Sequence, residues 1–525
     1  FKAALNTFER IPGHLGANLQ GVTLAQLGQP EKALDQFQRA EALHSCAPYL
    51  GNVGGILVQL GRYGEAIPVL QHAAILDRYV ATYHENLGLA FLRSGRVQES
   101  VESYRHALEL EPQSEKSGKN LIFLMDHLVE TTPEMACQVR RQYTARHAIP
   151  RLNGPSRTHN DVLRVGYIGS DFEQHSAAMC FAPVLLNHTK HVNVFVYSGT
   201  PMRQMMDQVY KTFRAVLPNW RSIWGWTDSE VFTVIKYDKI DILVDLSGYT
   251  KGNFLNVMMM KPAPVQVTAW GHAHGTGLAE VDWLFGDQWA TPHELEPYIR
   301  ECVWRLPSII PFYHQEWMDT LEVGELPSTR NGYVTFGSLN RHLKITPETL
   351  DMWAEILHAL PTSKLILKDN GGLVERDVRA YFSRAFQDRK IDVDRVTIMG
   401  QTNHIENMQV YQQIDIALDP YPHGGGVTAL EGLWMGVPMM TRVGAWIPSR
   451  LGYSFWNTLA AVSVGWSLFV AYDHDDYVSK TVKWAQDARQ THVRQELRRV
   501  MQRSALMDLP RYVIAVEDAY LAMWK

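Results

Sequence analysis

Cysteine is scarce in this chain. Its 525 residues hold four, Cys46, Cys137, Cys180 and Cys302, and no two stand in a C-x-x-C pair. That argues against a structural zinc cluster and a disulfide framework, and it points to a reducing, cytoplasmic setting. Long hydrophobic runs are missing too: the longest apolar stretch, 459–472, falls short of the roughly 20 residues that cross a bilayer. Basic charge is not in excess. Fifty Lys and Arg against 55 Asp and Glu leave a net charge of -5, which gives no footprint for nucleic acid. Compositional bias is absent as well, so disorder is not indicated, and the length suggests roughly three domains. No signal-like segment opens the chain. It begins at Phe1 in mid-pattern, as expected of a fragment of a longer protein.

The first third repeats. Gly28, Gly61 and Gly95 recur at spacings of 33 and 34. Ala33, Ala66 and Ser100 keep that register, as do Ala40, Ala73 and Ala107, with Phe37, Leu70 and Tyr104 at the large apolar position between them. Small residues where helices touch, glycine at the turn and Pro112 at the exit make this a tetratricopeptide pattern of paired antiparallel helices. Ala4 and Phe8 read as the second helix of an earlier, cut unit. Asn52, Asn86 and Asn120 also stand 34 apart. They are either a surface polar position copied by duplication or a ladder that hydrogen-bonds an extended peptide.

The repeats give way between Pro133 and Pro155, where Asn153-Gly154-Pro155 breaks the pattern. Short β-branched runs then alternate with helical ones. The first set is 163–168, 192–196, 240–244 and 265–269; the second is 333–336, 364–367, 396–399, 414–418 and 438–441. Strands separated by helices make parallel sheets, and two sets make two doubly wound lobes with a cleft between them. The expected divisions are 1–155 for the repeats and linking helices, 156–325 for the first lobe and 326–525 for the second. Residues 313–330 form the hinge.

Four segments carry candidate chemistry. Asp419 to Glu431 runs from a strand end through Gly424-Gly425-Gly426 into a helix with Val427 and Thr428 at its start. Glycines permit close approach, and helix-terminal N–H groups attract phosphate; Glu431, one turn in, suits ribose hydroxyls. In Asn340-Arg341-His342-Leu343-Lys344, Lys344 follows the second lobe's first strand, ahead of a helix capped by Thr346. It is either a diphosphate ligand or a solvated lysine. His175, after the first lobe's first strand, either faces the cleft or packs. His272-Ala273-His274-Gly275-Thr276 is a sugar-binding or structural loop, without the acidic or cysteine neighbours of a metal site. The D-x-D strings 392–394 and 473–475 do not follow strand ends and read as turn and cap chemistry, so no metal site is expected.

Together these marks, with Asp171-Phe172, Asp245 to Thr250, Pro262-Ala263-Pro264 and a closing helix through Asp518 and Trp524, resemble glycosyltransferase family 41, the O-GlcNAc transferase family. The resemblance implies an all-α tetratricopeptide superhelix followed by an α/β GT-B pair of Rossmann-like lobes. It implies inverting transfer of GlcNAc from UDP-GlcNAc to Ser or Thr hydroxyls of proteins, without a metal or other cofactor. On this pattern Lys344 holds the diphosphate beside Arg341, and Gly426, Val427 and Thr428 line the phosphates. Glu431 takes the ribose, the segment from His404 to Asn407 supplies the uracil contact, and His175 sits at the donor sugar and acceptor. Tyr249, His272 and Thr276 fall on the sugar and acceptor side. The asparagines become a track for an acceptor protein along the superhelix. The family also contains users of GDP-fucose and of UDP-glucose with Asn acceptors, and a peptide-binding scaffold with a silent catalytic module is the alternative from another class. This chain departs from animal members in having Gly426-Val427-Thr428 for His-Thr-Thr, no histidine near Trp220 and no long insertion between the lobes, which suggests a bacterial member.

Overall fold

The computed structural model describes residues 5, 7, 8, 10–149 and 162–525. Ala4 and the break at Asn153-Gly154-Pro155 lie outside them. The chain divides into two compact units, Phe1–Leu128 with Gly372–Ala385, and Val129–Gly371 with Phe386–Lys525.

The first unit holds the repeats: helices Gly13–Gln26, Pro30–Leu43, Ala47–Gln59, Tyr63–Leu76, Ala81–Arg93, Val97–Leu110 and Glu115–Met125. Gly28, Gly61 and Gly95 end the first helix of each pair with φ of +70°, +77° and +78°, a left-handed conformation that glycine adopts without a Cβ penalty. The large residues of each second helix pack onto a glycine of the first. A Cβ on Gly21, Gly54 or Gly88 would lie 2.6, 2.4 or 2.9 Å from Phe37, Leu70 or Tyr104. The small register residues Ala33, Ala66 and Ser100 are fully buried, and Ser100 donates its hydroxyl to the Gly88 carbonyl at 2.6 Å. The period in the sequence is therefore a knob-on-glycine contact repeated along the array.

The second unit contains two sheets, every pairing in them parallel. The first has strands β1 Leu163–Gly169, β2 Val192–Ser198, β3 Asn219–Ser222, β4 Ile242–Asp245, β5 Val265–Thr268, β6 Trp283–Gly286 and β7 Cys302–Arg305, in the order β3-β2-β1-β4-β5-β6-β7. The second has β8 Thr335–Ser338, β9 Lys364–Lys368, β10 Val396–Met399, β11 Ile416–Leu418, β12 Met439–Arg442 and β13 Val470–Ala471, in the order β10-β9-β8-β11-β12-β13. In each sheet the winding reverses direction between the first and fourth strands, which opens a crevice at the carboxyl ends of β1 and β4, and of β8 and β11. The sequence reading finds nine of these strands and misses β3, β6, β7 and β13.

The closing helix, Leu509–Trp524, follows the second lobe in sequence but bonds to the first. Tyr520 and Tyr167 share a hydrogen bond of 2.9 Å between hydroxyls, and Trp270 donates its indole N–H to Tyr512 at 3.0 Å. Glu517 accepts from His188 at 2.9 Å and from the Thr189 amide and hydroxyl at 2.7 and 2.6 Å. Burial opposes charge on this carboxylate, yet those donors hold it down at about 2. Among the described residues no helix is long and apolar enough to cross a membrane.

Candidate active site

The site grows from the two switch points. In the second lobe β11 ends at Leu418, and Asp419 turns its carboxylate back into the loop. It accepts the Gly425 N–H at 2.6 Å and the Thr441 hydroxyl at 2.7 Å, and burial lifts it to about 6. A Cβ on Gly424 would stand 2.7 Å from that carboxylate, which is why glycine is required there. The Gly424 N–H donates to the Pro448 carbonyl at 3.1 Å. The expectation that the whole glycine triplet offers N–H groups to phosphate is thus corrected: Gly424 and Gly425 bond internally and shape the loop. The N–H groups of Gly426, Val427 and Thr428, which open helix Val427–Trp434, find no acceptor among the described residues. They are the orphan donors of a helix start, all half-buried.

Lys344 lies on the short turn His342–Lys344 after β8, and Thr346 caps the helix that follows by accepting from the Thr349 N–H. Its ammonium donates to the Gly424 carbonyl at 2.6 Å. Burial, with Arg341 beside it, pushes this lysine down to about 8 against the pull of Asp419. It is a cation held against the glycine loop, not a solvated surface lysine. Asn340 joins the two segments, accepting the Thr428 hydroxyl at 3.4 Å.

Glu431 is buried, 4% exposed, and its carboxylate accepts from His404 Nε2 at 2.7 Å. Two residues assigned to different parts of a nucleotide are therefore joined. Asn407 lies one turn along the same helix, His404–Val410, with no side-chain hydrogen bond to this pair among the described residues. The Trp317 ring meets His404 edge-on at 5.0 Å. A cavity of about 510 Å³ opens beside them, lined by Gln174, Met179, Gln315, Trp317, Asn403 and His404. Trp317 escaped the sequence reading because it lies in the segment taken as a hinge.

From the first lobe, His175 caps helix Ser176–Leu185, with Nδ1 facing the Ala177 N–H at 3.2 Å. Its Nε2 meets the Arg341 guanidinium at 3.0 Å, so the two lobes touch through two expected site residues. Asp171 stands 3.7 Å from Nδ1. Burial and then Arg341 lower the imidazole's affinity for a second proton, with Asp171 opposing them. Burial, with Asp171 and Asp207 nearby, lifts Glu173 to about 7.

The sugar-side assignment of Tyr249 and Thr276 is corrected. Both are buried, at 4% and 0% exposure. The Tyr249 hydroxyl donates to the Thr276 carbonyl at 2.6 Å, and the Thr276 hydroxyl donates to Glu301 at 2.6 Å. His272 stacks edge-on against His274 at 4.2 Å, and Arg140 reaches His274 Nε2 at 2.7 Å. Tyr249, His274 and Thr276 are thus tied into the fold, while His272 is half-buried. The D-x-D strings are caps, with Asp392 accepting from Asp394 N–H and Asp473 from Asp476 N–H.

In the repeats, Asn52, Asn86 and Asn120 are half-buried at one register position of successive first helices. Asn52 donates to Asn18 at 2.7 Å, and Asn120 donates to the Tyr104 hydroxyl at 3.0 Å. Asn18 extends the series, and the same 34-residue spacing would have found it.

Repeats followed by two parallel-sheet lobes, with a helix start and a lysine meeting at a switch point, define the GT-B class with a tetratricopeptide array. The chain belongs to glycosyl transferase family 41, whose model matches residues 143–310 and 319–516. A tetratricopeptide-repeat model matches 18–81 and 56–115. Similar curated proteins include the probable UDP-N-acetylglucosamine–peptide N-acetylglucosaminyltransferases SPINDLY of Solanum lycopersicum, 32% identical over 80% of this chain and 45% of that protein, and of Arabidopsis thaliana, 33% identical over 79% and 46%. Arabidopsis SEC, described by the same enzyme name, is 27% identical over 75% of this chain and 41% of its own. The chain spans less than half the length of these relatives. A mutant O-GlcNAc transferase of Thermobaculum terrenum matches in structure with a TM-score of 0.83 and 28% identity, over 100% of this chain and 98% of that one.

Proposed function

We propose that this chain is an inverting glycosyltransferase that moves GlcNAc from UDP-GlcNAc to Ser or Thr hydroxyls of proteins. The observation that carries the reading is the Lys344 ammonium, 2.6 Å from the Gly424 carbonyl, beside the N–H groups of Gly426, Val427 and Thr428, which have no acceptor among the described residues. Charge builds on the diphosphate as the bond from the anomeric carbon to phosphate oxygen breaks, and these donors meet it without reorganising. The acceptor oxygen forms the new bond to that carbon from the opposite face, and UDP leaves with the electron pair. The acceptor hydroxyl's proton goes to His175 or to a donor phosphate oxygen; the Nε2 of His175, which points across to Arg341 of the other lobe, favours the first. The His404–Glu431 pair holds the ribose and base, and Arg341 adds a second cation for the phosphates. The half-buried asparagines support acceptor binding along the repeats, through amides that both donate and accept. With the charge carried by Lys344 and main-chain donors, the reaction needs no metal, so turnover in EDTA equals turnover with added Mg²⁺. The free cysteines support a cytoplasmic setting.

A thermal-shift comparison of UDP-GlcNAc, UDP-glucose and GDP-fucose tests the donor, since a ligand bound to the native state raises its melting temperature. Mass spectrometry of acceptor peptides then reads the transfer. Stabilisation by UDP-GlcNAc with a HexNAc increment on Ser or Thr is expected. A shift with GDP-fucose alone overturns the donor, and a protein that binds peptide but hydrolyses no sugar nucleotide is a scaffold.

A further inference from the structure

Both ring nitrogens of His175 face groups that can only donate. Arg341 Nη2 lies 3.0 Å from Nε2, and the Ala177 main-chain N–H lies 3.2 Å from Nδ1. A neutral imidazole has one lone pair and one N–H, so it satisfies only one of them. If the cap bond to Ala177 wins, the proton sits on Nε2 and the ring cannot take a proton from a hydroxyl in the cleft. If Nδ1 carries the proton, Nε2 is the base and the cap bond is lost. The charged groups acting on the ring are Asp171, from its own loop, and Arg341, from the other lobe. Asp171 Oδ1, 3.7 Å from Nδ1, is the one group of these three that can accept a proton there. At 3.7 Å the carboxylate is an ion-pair neighbour of Nδ1 and not yet a hydrogen-bond partner. A small turn of the ring toward it makes that bond, which is roughly twice as strong as a neutral one such as the cap bond.

We propose that Asp171 is a positioning residue that keeps the proton of neutral His175 on Nδ1, leaving Nε2 to accept the acceptor hydroxyl's proton once Arg341 turns to the donor's phosphates. This rests on the transferase reading above. In the resting site Arg341 occupies the place of the hydroxyl. When it leaves, the lone pair stays outward because the Asp171 carboxylate, 3.7 Å from Nδ1, favours the proton on that nitrogen. The hydroxyl proton then moves to Nε2, the hydroxyl oxygen bonds the anomeric carbon, the sugar–phosphate bond breaks, and the imidazolium faces Asp171.

The test separates tautomer from turnover. Long-range proton–nitrogen spectra, with His175→Ala to assign the signal, are recorded without donor for Arg341→Ala and for Asp171→Asn/Arg341→Ala. The first is expected as Nδ1–H and the second as Nε2–H. In kinetics, Asp171→Asn is expected to lower kcat/KM by about 10²-fold, the low end of what a general base contributes, and to move the acid limb of the pH profile to lower pH. In a His175→Ala background it has no further effect. An unchanged tautomer, or an equal loss in that background, overturns the proposal. If the tautomer switches but the wild-type protein transfers no sugar from any donor, the transferase reading fails and the tautomer control stands.

Discussion

Replacing Lys344 by methionine keeps the apolar stem and removes the charge, and it should move stability and activity in opposite directions. The lysine sits at about 8, against an ordinary 10.5. At 1.36 kcal/mol per pH unit, the folded protein bears about 3 kcal/mol to hold this charge near neutral pH. The sign follows from proton linkage. The unfolded chain binds the proton more tightly, so the cost is complete below about pH 8 and is relieved as pH rises from 8 to 10.5. Losing the hydrogen bond to Gly424 returns about 1 kcal/mol, and the partial exposure of the side chain reduces the rest. A net gain of about 1–2 kcal/mol remains, roughly one or two degrees in melting temperature for a module of this size. Turnover should fall by about 10²–10³, the usual loss for one preorganised donor. Scanning calorimetry of both proteins at pH 7 and pH 10, with initial rates on UDP-GlcNAc, measures both effects. A variant that melts below wild type at pH 7, or one that turns over normally, refutes the reasoning.

Because a diphosphate restores the proton to Lys344, UDP binding near pH 8 should take up about half a proton; calorimetry in buffers of different ionisation enthalpy reads it, and zero uptake contradicts the contact. Glu517→Gln should cost about 3 kcal/mol at pH 7, because the hydrogen bonds that hold Glu517 at about 2 are lost. The carboxylate is depressed, so this stability is complete above its unfolded value near 4.5 and fades toward pH 2; acid denaturation curves of the two proteins should converge over that span. Gly424→Ala places a methyl 2.7 Å from the pinned Asp419 carboxylate and should destabilise by about 1–3 kcal/mol, with weaker UDP binding. A variant that melts like wild type means the loop accommodates a side chain.

The sequence reveals what local patterning controls. Strands such as Leu163–Gly169 and Val192–Ser198, with at least one face against the core, read as apolar runs. Asn219–Ser222, at the sheet's edge with three of four residues at least partly exposed, reads as loop, and Val470–Ala471 is too short for any period. The glycine triplet and the Thr346 cap are local and legible. What failed depends on distant partners. Tyr249 and Thr276 look like free hydroxyls until Glu301 and burial are known. The His404–Glu431 bond spans 27 residues and the Arg341–His175 contact spans 166, so neither leaves a mark in spacing.

The helix Leu509–Trp524 belongs to the second lobe by sequence and to the first by its bonds, with Tyr520 and Tyr167 separated by 353 residues. The unit of exchange between relatives is therefore not the lobe as written along the chain. A chimera that takes its second lobe from another family member keeps an intact first-lobe core only if the native Leu509–Trp524 segment is retained, or if Tyr167, His188, Thr189 and Trp270 travel with their new helix. The helices His474–Ala485 and Gln490–Gln502 belong with the second lobe, since Tyr477 accepts from Trp353 and Arg494 donates to the Ile414 carbonyl. An exchanged second lobe therefore ends before Leu509, whereas a cut that takes the closing helix along mismatches a buried network.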